Sequence, residues 1–174
     1  MIFTDPLTNL KQFGLRSIDN VADLGAGSGA YTIPAAQIVR EGKVYAIEIQ
    51  KDLLQRINDE ANKKLLSNVE TIWGDAERVG GTKLKDGIID AVIISSVLFQ
   101  AENKVGLVQE AARILKPDGR VFLIDWKNSF GGLGPRSDMI ISADAAKILF
   151  ENSGLKFEKE ISVDEYHYGL IFKK

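Results

Sequence analysis

Residues 21–32, Val-Ala-Asp-Leu-Gly-Ala-Gly-Ser-Gly-Ala-Tyr-Thr, decide how the chain is read. Val21, Ala22 and Leu24 have the character of a buried strand end. Gly25, Gly27 and Gly29 follow at alternate positions, and Tyr31, Ile33, Ala35, Ala36, Ile38 and Val39 begin an apolar helical pattern. Glycines between a strand and a helix permit a tight turn with positive φ and let a ligand approach the backbone where a Cβ would collide. The helix that follows offers its first N–H groups to that ligand. The stretch reads as a nucleotide or nucleoside cofactor loop.

Gly25, Gly27 and Ala30 also fit the G-x-G-x-x-G/A dinucleotide fingerprint. Asp23, two residues before the first glycine, argues for a different ligand. A carboxylate there repels a pyrophosphate and suits a cationic amino group. S-adenosylmethionine has no phosphate and carries an amino group, a sulfonium and a ribose. The pattern Asp-x-Gly-x-Gly-x-Gly, Asp23 to Gly29, resembles motif I of the class I S-adenosylmethionine-dependent methyltransferases.

The 174 residues fit one domain, residues 1–174, with a core of ordinary size. Hydrophobic residues make up 45% and charged residues 26%, as in a globular protein rather than a disordered chain. A net charge of −2 gives no overall basic footprint for nucleic acid. With no cysteine and one histidine, disulfides, thiolate nucleophiles and Cys/His zinc sites are excluded, and no metal is expected. The first residues lack the basic-then-apolar pattern of a signal peptide, and no apolar run approaches a membrane span, so the expected compartment is the cytoplasm.

Outward from the loop, strands alternate with helical segments. Residues 1–19 read as a helical segment with Phe3, Leu7, Leu10, Phe13 and Leu15, either packed on the sheet edge or serving as a flap. Residues 43–49 form a second strand ending at Glu48, some 20 residues past the loop, where doubly wound folds place an acid on ribose hydroxyls. Ile49 is a candidate for the apolar face of adenine. Residues 52–66 make an amphipathic helix and 69–73 a third strand. Residues 88–95 are nearly all apolar, as for a central parallel strand. A helix over 102–115 has Val105, Val108, Ala112 and Leu115 inward. Lys116 to Gly119 reads as a type I turn, and 120–126 as the fifth strand. Ser142 caps a helix ending near Asn152, with Gly154 as its stop, and 156–163 and 166–173 form a closing hairpin.

The segment ARILKPDGRVFLIDW, residues 112–126, also resembles its counterpart in the methyltransferase superfamily, and the likeness extends over about residues 20–174. It looks most like the small-molecule branch that includes the ubiquinone- and menaquinone-pathway C-methyltransferases. The resemblance implies a Rossmann-like α/β sandwich of three layers, with a seven-stranded, mostly parallel sheet and an antiparallel last strand. It implies S-adenosylmethionine bound through Asp23, Gly25, Ala26, Gly27, Gly29, Tyr31 and Glu48. It also implies adenine contacts from Asp75 and Ala76, an acid early in the fourth strand at Asp90, cofactor contacts from Ser95 and Ser96, and a substrate-facing run Ser95, Ser96, Val97, Leu98, Phe99 and Gln100. Many small-molecule members have a histidine between Ser95 and Gln100; this chain has none. Nor does it have the Asn/Asp-Pro-Pro-Tyr segment of nucleic-acid amino methylators.

Methyl transfer from a sulfonium asks the protein mainly for orientation and desolvation, and a base only where the acceptor loses a proton. Asp125, Tyr31 and His167 are candidates for that base by position alone. The loop Lys127 to Ile141, glycine-rich over Phe130 to Pro135, is a candidate substrate gate, although a second subunit or a partner protein is another source of a lid. Two rival functions share the loop. An NAD-dependent oxidoreductase leaves Asp23 without a purpose, and a non-catalytic S-adenosylmethionine-binding subunit has the same motifs.

Overall fold

A computed structural model describes residues 5–130, 132 and 134–174. In chain order the elements are α1 (Pro6–Phe13), β1 (Asn20–Leu24), α2 (Thr32–Ile38), β2 (Lys43–Glu48), α3 (Lys51–Lys63), β3 (Val69–Trp73), β4 (Ile89–Ser95), α4 (Lys104–Ile114), β5 (Leu115–Trp126), a 3-10 turn (Ser137–Met139), α5 (Ala143–Asn152), β6 (Lys156–Ile161) and β7 (His167–Lys173). The seven strands form one sheet in the order β3-β2-β1-β4-β5-β7-β6. β7 runs antiparallel to both neighbours, and every other pairing is parallel. The order reverses between β1 and β4, so a crevice opens at their carboxyl ends.

The layers follow from side-chain alternation along the central strands. Val92 and Ile94 of β4 face one core with Leu107, Val108 and Ile114 of α4 and Phe150 of α5. Ala91 and Ile93 face the other with Leu10 and Phe13 of α1 and Ala35 and Ala36 of α2. The expected three-layer α/β sandwich is therefore present. Phe3 lies outside the described residues, while Leu10 and Phe13 dock α1 against Phe122 of β5, the Phe13 and Phe122 rings stacking at 4.8 Å. Among the described residues no helix is long and apolar enough to cross a membrane.

Two sequence expectations are corrected. Of the residues expected inward, Val108 and Leu115 are buried but Val105 is half exposed, and α4 also buries Leu107, Ala111 and Ile114. The cause is Gly106: a Cβ there would lie 2.1 Å from the Glu77 carbonyl oxygen, so the backbone contact sets the helix's rotation. Lys116–Gly119, expected as a type I turn before a fifth strand over 120–126, lies inside β5 instead, with Asp118 at φ +64° and a register shift in the pairing with β4 between Ile89 and Ala91. Asp90 lies early in β4 as expected, at the strand end remote from the crevice, where it accepts hydrogen bonds from the Asn20 N–H (2.8 Å) and Lys116 Nζ (2.8 Å).

The connection between β3 and β4 is tied down by Glu110, a fully buried side chain on α4. It accepts hydrogen bonds from the Gly80 and Thr82 N–H groups, the Thr82 hydroxyl and Arg113. Burial pushes its carboxyl up, but Arg113, Thr82 and the backbone donors outweigh it and hold the group below its ordinary value. Removing the carboxylate leaves the buried Thr82 N–H and the Arg113 Nε without their acceptor. Glu110→Ala is expected to cost about 3 kcal/mol of stability, read as a lower urea midpoint in equilibrium unfolding.

Candidate functional site

A cleft of about 840 Å³ opens over the carboxyl ends of β1, β2, β3 and β4. Its floor is the turn between β1 and α2. Gly25 and Gly27 have φ of +69° and +55°, the left-handed region that costs a side chain roughly 1 kcal/mol or more. They differ in surroundings. A Cβ on Gly25 would meet Val97 Cγ2 at 2.6 Å, whereas one on Gly27 would have nothing within 4 Å. Gly25 is therefore required by packing, and Gly27 presents bare backbone to open space. The Gly25 and Ala26 N–H groups donate to the Ile47 carbonyl, which fastens the turn to β2.

Asp23 closes the end of β1 and is 2% exposed. Its Oδ2 accepts a 2.6 Å hydrogen bond from the Thr32 hydroxyl, and the Thr32 N–H adds a second. Burial pushes its carboxyl up from 3.8 to about 6, against the Thr32 bonds and with help from nearby Glu48. Glu48 lies at the end of β2. Its Oε2 accepts from the Gly27 N–H at 2.9 Å, and its Oε1 accepts from the N–H groups of Ile49 and Gln50. Oε1 is thus committed to backbone, and Oε2 keeps a lone pair for a ligand.

Ile49 is 59% exposed at the cleft wall, an apolar surface that a core residue would not present. Asp75 and Ala76 form the next wall. Asp75 Oδ1 accepts from the Glu77 N–H, and its Oδ2 pairs with Arg78 at 3.0 Å. Ser95 and Ser96 line the cleft from β4. Ser96 has φ +55° and donates its N–H to the Ile124 carbonyl, turning the chain so that Val97 packs on Gly25. Tyr31 lines the cleft as well, its hydroxyl accepting from Asn9 Nδ2 of α1 at 2.9 Å. Burial pushes that hydroxyl up to about 12, so it stays protonated at neutral pH.

Two expected residues stand apart from the cleft. Gly29 faces α3, where a Cβ would lie 3.0 Å from Ile57 Cγ1, so its role is packing. Asp125 is buried beneath the connection after β4, accepting from the Phe99 and Trp126 N–H groups. Burial pushes it up to about 6, and it lines no part of the cleft. His167 does line the cleft, together with a residue that sequence reasoning missed, Asp164. The spacing Asp-x-x-His before a strand was the available signal. Of the candidate gate, Gly131 and Leu133 lie outside the described residues; Gly134 packs on Trp126, where a Cβ would come within 2.6 Å of the ring.

Six carboxylate residues line the cleft (Asp23, Glu48, Asp75, Glu77, Glu102 and Asp164), and no lysine or arginine does among the described residues. The surroundings repel phosphates and favour positive charge. Among the described residues no group of three His, Asp or Glu is placed to hold a metal ion.

The family model described as "Methyltransferase domain" matches residues 15–160. The chain belongs to this family. A methyltransferase domain of this kind is also seen in the S-adenosylmethionine-dependent methyltransferase from Aquifex aeolicus, whose crystal structure superposes with a TM-score of 0.89 at 27% identity, covering 98% of this chain and 90% of that one. The ubiquinone/menaquinone biosynthesis C-methyltransferase UbiE of Francisella tularensis subsp. novicida is 30% identical over 115 residues, 65% of this chain and 45% of that protein. The chain therefore spans somewhat under half the length of that curated relative. The [4+2]-cyclase SpnF has the same fold at a TM-score of 0.80 and 18% identity, covering 98% of this chain and 80% of that one. The fold alone does not fix the reaction, and the activity has to be argued from the cleft.

Asp23 supplies a direct test of the electrostatics. Its folded carboxyl titrates near 6 and an unfolded one near 3.8, so between these values the folded state binds more protons. Its contribution is fully favourable below the lower value and is lost as pH rises through 6. Asp23→Asn, which keeps an acceptor for Thr32, is expected to raise the stability of the ligand-free protein at pH 7 by roughly 1–3 kcal/mol. Thermal unfolding of both proteins from pH 7 to 4 checks it: the advantage should shrink toward acid.

Proposed function

We propose that this chain transfers the methyl group of S-adenosylmethionine to a small acceptor, with residues 1–174 acting as one catalytic domain. The observation that carries this reading is the acid-lined cleft set around bare backbone at Gly27. A ligand there is positively charged and free of phosphate, and it needs close contact with the main chain. S-adenosylmethionine meets all three conditions.

In this reading Asp23 faces the amino group, and Glu48 Oε2 takes a ribose hydroxyl. Ile49 lies against the adenine, while Asp75 and Ala76 read its edge. Gly25, Ala26 and Gly27 lie under the amino-acid part, with Tyr31, Ser95 and Ser96 at the boundary toward the acceptor. When bound, the sulfonium supplies an already activated methyl group. The chain contributes alignment of the acceptor, exclusion of water and a negative field that holds the cation. An NAD-dependent reaction fits less well, because a pyrophosphate would lie among carboxylates with no cation beside it.

Calorimetric titration tests this with S-adenosylmethionine, S-adenosylhomocysteine and NAD. The first two are expected to bind and NAD to give no heat. Glu48→Ala is expected to weaken both by about 10- to 100-fold, the loss of a charged hydrogen bond. Affinity for S-adenosylmethionine should also fall as pH drops through 6, because a protonated Asp23 no longer attracts the amino group. Binding of NAD alone would overturn the reading. Binding of S-adenosylmethionine without transfer to any acceptor would favour a non-catalytic cofactor-binding subunit.

A further inference from the structure

His167 opens β7, and because β7 is antiparallel its first residue sits beside Trp126, at the same sheet edge as the cofactor turn. The imidazole is nine-tenths buried and lines the cleft. Its ring packs on the Trp126 indole, with centroids 4.2 Å apart. Nδ1 lies 2.9 and 3.0 Å from the two oxygens of Asp164. Asp164 is itself fixed by its own turn, its Oδ1 accepting from the N–H groups of Tyr166 (2.8 Å) and His167 (2.7 Å).

This geometry determines the tautomer. A carboxylate only accepts hydrogen bonds, so the ring nitrogen facing it carries the proton. The lone pair of the neutral imidazole is then on Nε2, to which no described group donates. The other two candidates for a base fail on independent grounds. The Tyr31 hydroxyl is held protonated, and Asp125 does not reach the cleft.

We propose that His167, oriented by Asp164, is the general base of this site, and that the acceptor is a small uncharged or cationic molecule reacting through an O–H or N–H group. The proposal rests on the methyltransferase reading of the cleft. The proton on the acceptor's oxygen or nitrogen passes to Nε2 as that atom bonds to the methyl carbon. The electron pair of the broken carbon–sulfur bond stays on sulfur, and the imidazolium, stabilised by Asp164, later releases its proton to water. The acceptor's charge follows from the lining: with six carboxylates and no lysine or arginine among the described residues, nothing there holds an acceptor's carboxylate or phosphate.

The test uses the full chain with radiolabelled S-adenosylmethionine and a series of substituted phenols and primary amines of graded acidity. His167→Gln is expected to slow transfer to weakly acidic acceptors by about 100-fold. Amines already neutral at the assay pH should lose only about threefold or less, since they need no base. Asp164→Asn should follow the same pattern with a smaller loss, and calorimetry should find S-adenosylmethionine affinity within about twofold of the parent in His167→Gln. A loss of equal size across the series would overturn the proposal. So would transfer to none of these acceptors by a parent protein that binds S-adenosylmethionine. Failure of the parent to bind S-adenosylmethionine would sink the methyltransferase reading itself, a result distinct from either.

Discussion

A carboxylate confined at the end of a central strand, two residues before a glycine turn, is the constraint on which the rest depends. Asp23 has given up nearly all contact with water and, among the described residues, is compensated only by Thr32. Desolvation dominates over those two bonds, so the ionised group is held at a cost. Nothing in the packing of β1 demands a carboxylate at this position, because its neighbours Ala22 and Leu24 are simply apolar. A group retained against its own stability points to a ligand of opposite charge. The same Thr32 bond draws the start of α2 onto β1, so the element that costs stability also shapes the turn.

The remaining geometry extends that one commitment. The Gly25 and Ala26 N–H groups hold the turn to β2, and Glu48 at the end of β2 reaches back to Gly27. Val97, after the strained Ser96, fills the space that a side chain at Gly25 would need. The floor is thus locked from both flanking strands, while the face at Gly27 stays open. A rigid floor with one open face is suited to fixing a ligand before reaction rather than adapting to it afterwards.

Much of this was legible in the sequence because it is local. Asp23, the glycines and Glu48 sit at strand ends that hydrophobic patterning marks out, and the alternation of strands and helices limits the sheet to one topology class. What was not legible depends on contacts between distant segments. The helical period offered Val105 as inward, and only the approach of Gly106 to the Glu77 backbone rotates α4 away from that choice. Gly29 shares the spacing of a cofactor glycine, yet faces Ile57 of α3. Asp125 and His167 both fall at the ligand edge in sequence. One is turned under the chain by the Phe99 N–H and the other into the cleft by Asp164. Asn9 reaches Tyr31 from α1, a partner 22 residues away that no periodicity announces.

The most direct test of the central claim is a crystal structure of the protein grown with S-adenosylhomocysteine. The account predicts the amino group near Asp23, the ribose on Glu48 Oε2 and the adenine against Ile49, with the glycine turn unmoved. A nucleoside seated elsewhere, or one whose amino group points away from Asp23, would contradict it.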